Sequence, residues 1–276
     1  MTILLAQSQP SPAAIGWGVV LASLSLVLLA LGLARWLRLG VERELIEATL
    51  RAAVQLLAVG VLFGLIFGSA GAVWWAWLWV AFMVVVATGV VRRRARYQIR
   101  HLTAAAAVAV LGATAISLTV SFGFGVFEFD PVALVVVAGI TIGNAVPSTV
   151  LGVNQSVGLC RDRRGDLEAL LSLGFDARQA ARFMAPRAAR SALIPQVERT
   201  KVVGLIALPG AMTGLLLAGV DPAEAVVIQL LVMYLVLGTV AVCVVAVVAT
   251  ITRAAFTSDL RVADWVLPGS FDGDPS

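Results

Sequence analysis

The sequence predicts an all-α, polytopic integral membrane protein of seven transmembrane helices. Three observations carry this: an excess of apolar residues, their grouping into bilayer-length blocks, and the placement of every Lys and Arg. The hydrophobic fraction is 60% and only 13% of the 276 residues are charged, against about 25% charged in a soluble domain. So little polar surface cannot coat a water-soluble globule. The apolar blocks approach the ~20 residues that cross a bilayer as a helix. In hydrocarbon a helix satisfies its own backbone hydrogen bonds, and the alternation of a membrane β-barrel is absent from the sequence.

The spans fall at 14–34, 52–67, 72–91, 102–120, 132–153, 202–217 and 225–251. The second is interrupted only by Gln55, and the sixth contains Pro209 and Gly210. Residues 1–258 form a single transmembrane domain, and 259–276 form a polar tail rich in Gly, Pro and Asp, expected to be loosely ordered. The first twelve residues lack a basic region, so no cleavable signal peptide is expected.

Orientation follows from the basic residues. Four follow span one, from Arg35 to Arg51; five follow span three, from Arg92 to Arg100. Nine follow span five, from Arg161 to Lys201, and Arg253 and Arg261 follow span seven. These are all 20 of the chain. The alternate loops carry only Glu128 and Asp130, or Asp221 and Glu224, or no charge. The N-terminus is therefore expected outside and the C-terminus inside, and one span more or fewer would break the alternation. The net charge of +4 is a topology signal rather than a nucleic-acid footprint.

Two cytoplasmic segments are more than connectors. In 41–51, Val41, Leu45 and Ala48 share a helical face and Glu47 is spaced to pair with Arg51. This reads either as a short surface helix or as an extension of span two. Segment 160–201 is the longest soluble stretch. Asp166 starts a helix and Gly174 is suited to stop it; Asp176 with Gln179 reads as a capping box for a second helix. Pro186 and Pro195 are expected to punctuate the remainder of the segment. The product is a helical hairpin on the cytoplasmic face, shaped for docking on a partner. Leu167, Leu170 and Leu171 form its apolar face, with Glu168 beside them.

Catalytic signals are weak. His101 is the only histidine and reads as a surface residue; Cys160 and Cys243 form no metal or disulfide pattern. The phosphate-loop pattern Gly-x-x-x-x-Gly-Lys is absent, so ATP hydrolysis is not expected here. Span five is the informative one. Thr141, Asn144, Ser148, Thr149 and Asn154 lie in or beside its apolar run, with Pro147 among them. Polar groups at membrane depth need partners or water. They serve either interhelical packing or a polar pathway. Met212 and Thr213, next to the expected break at Pro209–Gly210, are placed to face the same path, since interrupted helices mark transport sites. Gln55 and Gln229 read as packing residues.

Several stretches then carry a resemblance. They are Arg51 with Gln55 and Leu56, Ile142-Gly143-Asn144, Glu168-Ala169-Leu170 with Gly174, and Lys201-Val202-Val203-Gly204-Leu205. The most specific is Leu208-Pro209-Gly210-Ala211-Met212-Thr213-Gly214, followed by Leu217-Ala218-Gly219 and Pro222-x-Glu224-Ala225. Over roughly 35–256 the chain resembles the FetB/YbbM-type permease family. The resemblance implies the permease subunit of an ABC transporter, a likeness that brings a separate FetA-type ATPase carrying the ATP and Mg, two copies of each chain, and the inner (plasma) membrane as its place. It implies export of iron or a related metal; plant relatives are linked to aluminium tolerance and one pair to UDP-glucose transport. Glu168-Ala169-Leu170 and Gly174 also look like the Glu-Ala-Ala-x-x-x-Gly coupling motif of ABC permeases, with Leu170 in place of Ala.

Three functions compete. A transporter subunit leads; the metal or nucleotide-sugar cargo is what the resemblance implies, and since the spans hold no histidine a metal would find only a transient, weak site among the oxygen groups of Asn144, Ser148, Thr149 and Thr213. An intramembrane lipid enzyme would need a buried acid, His or Ser dyad, and no span has an acidic residue in its middle. A non-transporting scaffold is the third.

Overall fold

The computed structural model describes residues 17–69, 71–97, 102–257, 259 and 261–266. Among the described residues there are nine α-helices and no β-strand. The chain divides into two compact units, Met1–Ser69 and Ala70–Ser276.

The first unit is a helical hairpin of α1 (Trp17–Trp36) and α2 (Glu42–Phe67). The turn between them uses left-handed backbone at Arg38 (φ 53°) and Gly40 (φ 71°). The Leu37 and Leu39 N–H groups donate to the carbonyls of Leu33 and Ala34, both at 2.9 Å, closing the end of α1. Glu42 and Glu44 stand in the first turn of α2, where carboxylates favour the helix dipole. Of the two readings of 41–51, the extension of span two is the one found, because the helix continues unbroken from Glu42. Glu47 pairs with Arg43 at 3.0 Å rather than with Arg51. The first three residues of the expected span one, Ala14, Ile15 and Gly16, lie outside the described residues, as do Arg100 and His101.

The second unit holds α3 (Ala72–Arg94), α4 (Leu102–Gly123), α5 (Pro131–Asp162), α6 (Arg164–Ser172), α7 (Ala177–Lys201), α8 (Gly210–Leu217) and α9 (Pro222–Ala254). Its centre is the pair α5 and α9. Both begin in the same way: Asp130 and Asp221 cap the first turn with their carboxylates, and Pro131 and Pro222 occupy the opening helical position. Thr149 meets Cys243 at 3.0 Å, and Gly152 lies against Val247 and Val248, so the two helices run parallel. A Cβ on Gly152 would stand 3.2 Å from the Val247 side chain; the absence of one sets how closely they approach. Helix α3 runs parallel to α5, with Met83 against Gly139 and the Arg96 N–H on Asn154. Helix α4 packs on α3, α5 and α9 through small residues such as Ala105, Ala109 and Ala113.

Five helices, α2, α3, α4, α5 and α9, are long and apolar enough to cross a membrane, and the apolar part of α1 described is shorter. The sixth expected span differs most. The break expected at Pro209–Gly210 is found, but it leaves only α8 helical within 202–217, and its eight residues extend about 12 Å, far short of a bilayer core of about 30 Å. The cause is local. Gly204 takes φ +86°, and Pro209 offers no N–H and disfavours helix at Leu208.

Segment 160–201 also differs. It does not stand apart as a compact hairpin: α7 is one helix of 25 residues that turns back and packs along α5 and α9. Ala180, Met184, Ala188, Ala192 and Gln196 are buried at every fourth position, a stripe small enough for close helix packing. Pro186 and Pro195 lie inside this helix without ending it. Part of the polar tail is built into the unit as well. Trp265 and Val266 pack on the base of α6 and α7, and the Trp265 indole N–H donates to the Ala254 carbonyl at 3.2 Å.

Candidate functional site

Asn144 sits thirteen residues into α5 from Pro131, about 20 Å along the helix axis. Its amide N–H₂ donates to the Ile140 carbonyl at 2.7 Å, which aims its oxygen away from its own helix. That oxygen accepts a 3.1 Å hydrogen bond from the Arg199 guanidinium, near the end of α7. The antiparallel course of α7 along α5 thus carries a charge to the level of the polar run of span five. Arg199 itself is exposed, so its guanidinium stands at the mouth of this polar run.

Around this pair lies a cavity of about 250 Å³. Its polar side chains are Asn144, Gln196, Arg199, Thr200 and Gln229, and Pro209–Ala211, where the chain interrupts itself before α8, form another wall. Gln229 is 8% exposed and its Oε1 has no hydrogen-bond partner. Among the described residues, no carboxylate, histidine or cysteine lines the cavity. Beside it, sharing Ile140, Ala211 and Val232, is an almost wholly apolar cavity of about 340 Å³ that reaches Phe127 and Ala133 near the start of α5. A polar chamber and an apolar one therefore follow one another along the α5–α8–α9 seam.

The expected pathway residues divide. Asn144 lines the polar cavity, and Thr141 the apolar one, though the Thr141 hydroxyl is returned to the Val137 carbonyl at 2.8 Å. Ser148 and Thr149 are buried and line neither; the Thr149 hydroxyl is shared between the Ala145 carbonyl and Cys243. Asn154 accepts the Arg96 N–H at 2.8 Å and ties the end of α3 to α5. Met212 and Thr213 are in α8, outside both linings, and the Thr213 hydroxyl bonds the Pro209 carbonyl at 3.2 Å. Sequence reasoning missed Gln196 and Arg199 and assigned Gln229 to packing. Gln196 gave one faint signal, as the last member of the every-fourth-residue stripe. Arg199 was hidden among the cytoplasmic basic residues.

At the other end of α7, Asp176 and Gln179 form the expected capping box, at 2.6 and 2.9 Å. Gly174 takes φ +85° and ends α6, with the Phe175 N–H returned to the Leu170 carbonyl at 3.1 Å. The expected outward apolar face of α6 is reversed. Leu167 is fully buried against Cys160, Ala180, Ala181 and Met184, and Leu170 and Leu171 pack on the same cluster. A helix of nine residues has one apolar stripe, and burial against its own chain takes it. The outward face is Glu168, Ala169 and Ser172, and Leu173 and Phe175 flank Gly174 at the tip, exposed. Glu168 is engaged by Arg164 at 2.6 Å. Among the described residues no group of His, Cys, Asp and Glu is gathered that would hold a metal ion.

A family model described as "Uncharacterised protein family (UPF0014)" matches residues 17–256. The chain is 35% identical over 254 residues to "UPF0014 membrane protein STAR2" of Oryza sativa subsp. japonica, covering 89% of this chain and 85% of that one. It is 34% identical over 221 residues to "Protein ALUMINUM SENSITIVE 3" of Arabidopsis thaliana, covering 80% of each. It is 30% identical over 217 residues to "Probable iron export permease protein FetB" of Escherichia coli (strain K12), covering 79% of this chain and 83% of that one. No solved structure matches.

Proposed function

The chain belongs to the UPF0014 family, and from that premise we propose that it is the membrane-spanning permease subunit of an ABC transporter whose ATPase is a separate, FetA-type chain. The observation that carries this reading is the polar cavity beside the helix break at Pro209–Gly210. An unwound segment flanked by helix ends is how transport sites present binding groups inside a bilayer. Arg199, Asn144 and Gln229 then contact cargo, and the apolar chamber beyond them leads toward the outer ends of α5 and α9.

In this proposal the N-terminus is outside, the C-terminus inside, and seven crossings lie in the inner (plasma) membrane. The sixth crossing is composite, made of the last turns of α7, the segment 202–209 and α8. Two copies of this chain work with two ATPase copies, which supply ATP and Mg. The cargo, following the name of the bacterial relative, is iron or a related metal moved outward. The ATPase contact is the tip of the α6–α7 hairpin, where Glu168, Ala169, Leu173, Gly174 and Phe175 are exposed. Helix α7 joins that tip to the cargo cavity.

Inverted vesicles containing this chain and its ATPase test the reading. ATP-dependent iron accumulation that requires both chains is expected, and Glu168→Arg is expected to lower ATPase co-purification without unfolding the bundle. Iron accumulation indifferent to ATP, or normal ATPase binding by both Glu168→Arg and Leu173→Ala, would reject it.

A further inference from the structure

The chemistry of the polar cavity restricts what it can hold. Among its described lining residues the only formally charged one is Arg199, and the other polar side chains are amides and one hydroxyl. The neighbouring Lys201 and Glu198 neutralise each other in a 2.8 Å ion pair. The chamber is therefore positive. A bare metal cation would meet the Arg199 guanidinium and only neutral amide, hydroxyl and Met233 thioether groups, with no anionic ligand to offset the positive charge. A guanidinium has five N–H donors in a planar fork that pairs bidentately with the oxygens of carboxylate and phosphate. Asn144 fixes one Nη in place by accepting from it, so the fork is held toward the chamber with the remaining donors to offer.

Gln229 supplies the second half. It is more than nine-tenths buried, lines the cavity, and its Oε1 has no donor. A buried acceptor left without a donor is destabilising and rare, and a hydroxyl or N–H on the occupant would satisfy it. The cavity is smaller than sites for drug-sized ligands, so it fits a small anion or one end of a larger one.

We propose that this chamber recognises cargo through an oxyanion, a carboxylate or phosphate, on Arg199, with a hydroxyl or N–H of the same molecule on Gln229. This deepens the permease reading and rests on it. A metal ion carried by this chain then travels inside an anionic, hydroxylated ligand rather than bare.

The test is titration of the full chain in phosphatidylcholine nanodiscs with citrate, with ferric citrate and with ferrous ion alone, at low salt. Citrate and ferric citrate are expected to bind saturably. Arg199→Gln should weaken both by roughly ten- to a hundredfold, the range of a charge-assisted hydrogen bond; Arg199→Lys should fall between, since it keeps the charge and loses the fork. Gln229→Leu, which leaves the charge untouched, should weaken citrate and should not affect tricarballylate, which lacks the hydroxyl. Repeating the titration with phosphatidylglycerol in the nanodisc separates two sources of the oxyanion. Competition by that lipid assigns the site to a headgroup phosphate, and no competition assigns it to a soluble anion; both outcomes support the oxyanion site. Saturable ferrous binding unchanged by Arg199→Gln overturns the proposal. So does equal citrate binding by the wild-type chain, Arg199→Gln and Gln229→Leu, or no anion binding to the wild-type chain at millimolar concentration. The titration omits the ATPase, so a failure of ATP coupling would count against the permease reading alone.

Discussion

The two ends of α7 are built on opposite terms. At its beginning the helix is closed: Asp176 and Gln179 cap it reciprocally, and Ala180, Ala181 and Met184 are buried around Leu167 and Cys160. At its end the helix is open: Arg199 and Gln196 face a cavity, and across it Gln229 keeps an unpartnered oxygen. Twenty-five residues, about 37 Å of helix, separate a settled packing site from an unsettled polar one. The first end is closed by packing and capping, and the second borders a cavity. One continuous helix, with Pro186 and Pro195 inside it, links the two ends.

The largest expected effect breaks the closed end. Leu167→Ala removes a fully buried side chain from the cluster under the hairpin, and the cost should be about 2–5 kcal/mol of local stability. Proteolysis within 164–180 reports it, and a variant as resistant as the wild type would show that this cluster does not hold the hairpin. Next comes Gly174→Val. A β-branched residue at φ +85° strains the turn by about 1–2 kcal/mol, and the side chain also sits between the exposed Leu173 and Phe175. ATPase capture should fall while the thermal midpoint of the membrane bundle stays put; equal loss in both would make the residue structural only. The smallest effect on stability is expected from Asn144→Leu at the open end. The amide is only half-buried, so the bundle should keep its melting behaviour, while transport drops because Arg199 loses the group that aims it. Full transport by this variant would return Asn144 to a packing role and erase the contrast between the ends.

Local chemistry was legible where it acts over a few residues. The Asp176–Gln179 box, the stop at Gly174 and the break around Pro209–Gly210 all follow from neighbours in the chain, and each is found. Side-chain roles in span five were legible only as a set. Asn144, Ser148, Thr149 and Asn154 share one stretch of helix, yet one meets an arginine, two are buried away from the cavities and one ties a loop. Which neighbour faces each residue depends on how α3, α7 and α9 are arranged round α5, and no local pattern encodes that.

The sequence by itself determined that the chain is helical and multi-pass, because apolar block length and backbone hydrogen bonding in hydrocarbon leave few alternatives. The resemblance over 35–256 was likewise legible from its motifs, and the family match over 17–256 agrees with it. Only the tertiary structure decided that α7 doubles back. Its surface is rich in arginine, and by composition it reads as cytoplasmic; its every-fourth-residue stripe of small side chains has meaning only once α5 and α9 present a matching groove. That packing turns α6 inward and buries Leu167. It also brings Arg199, fifty-five residues from Asn144 in the chain, to 3.1 Å from it in space.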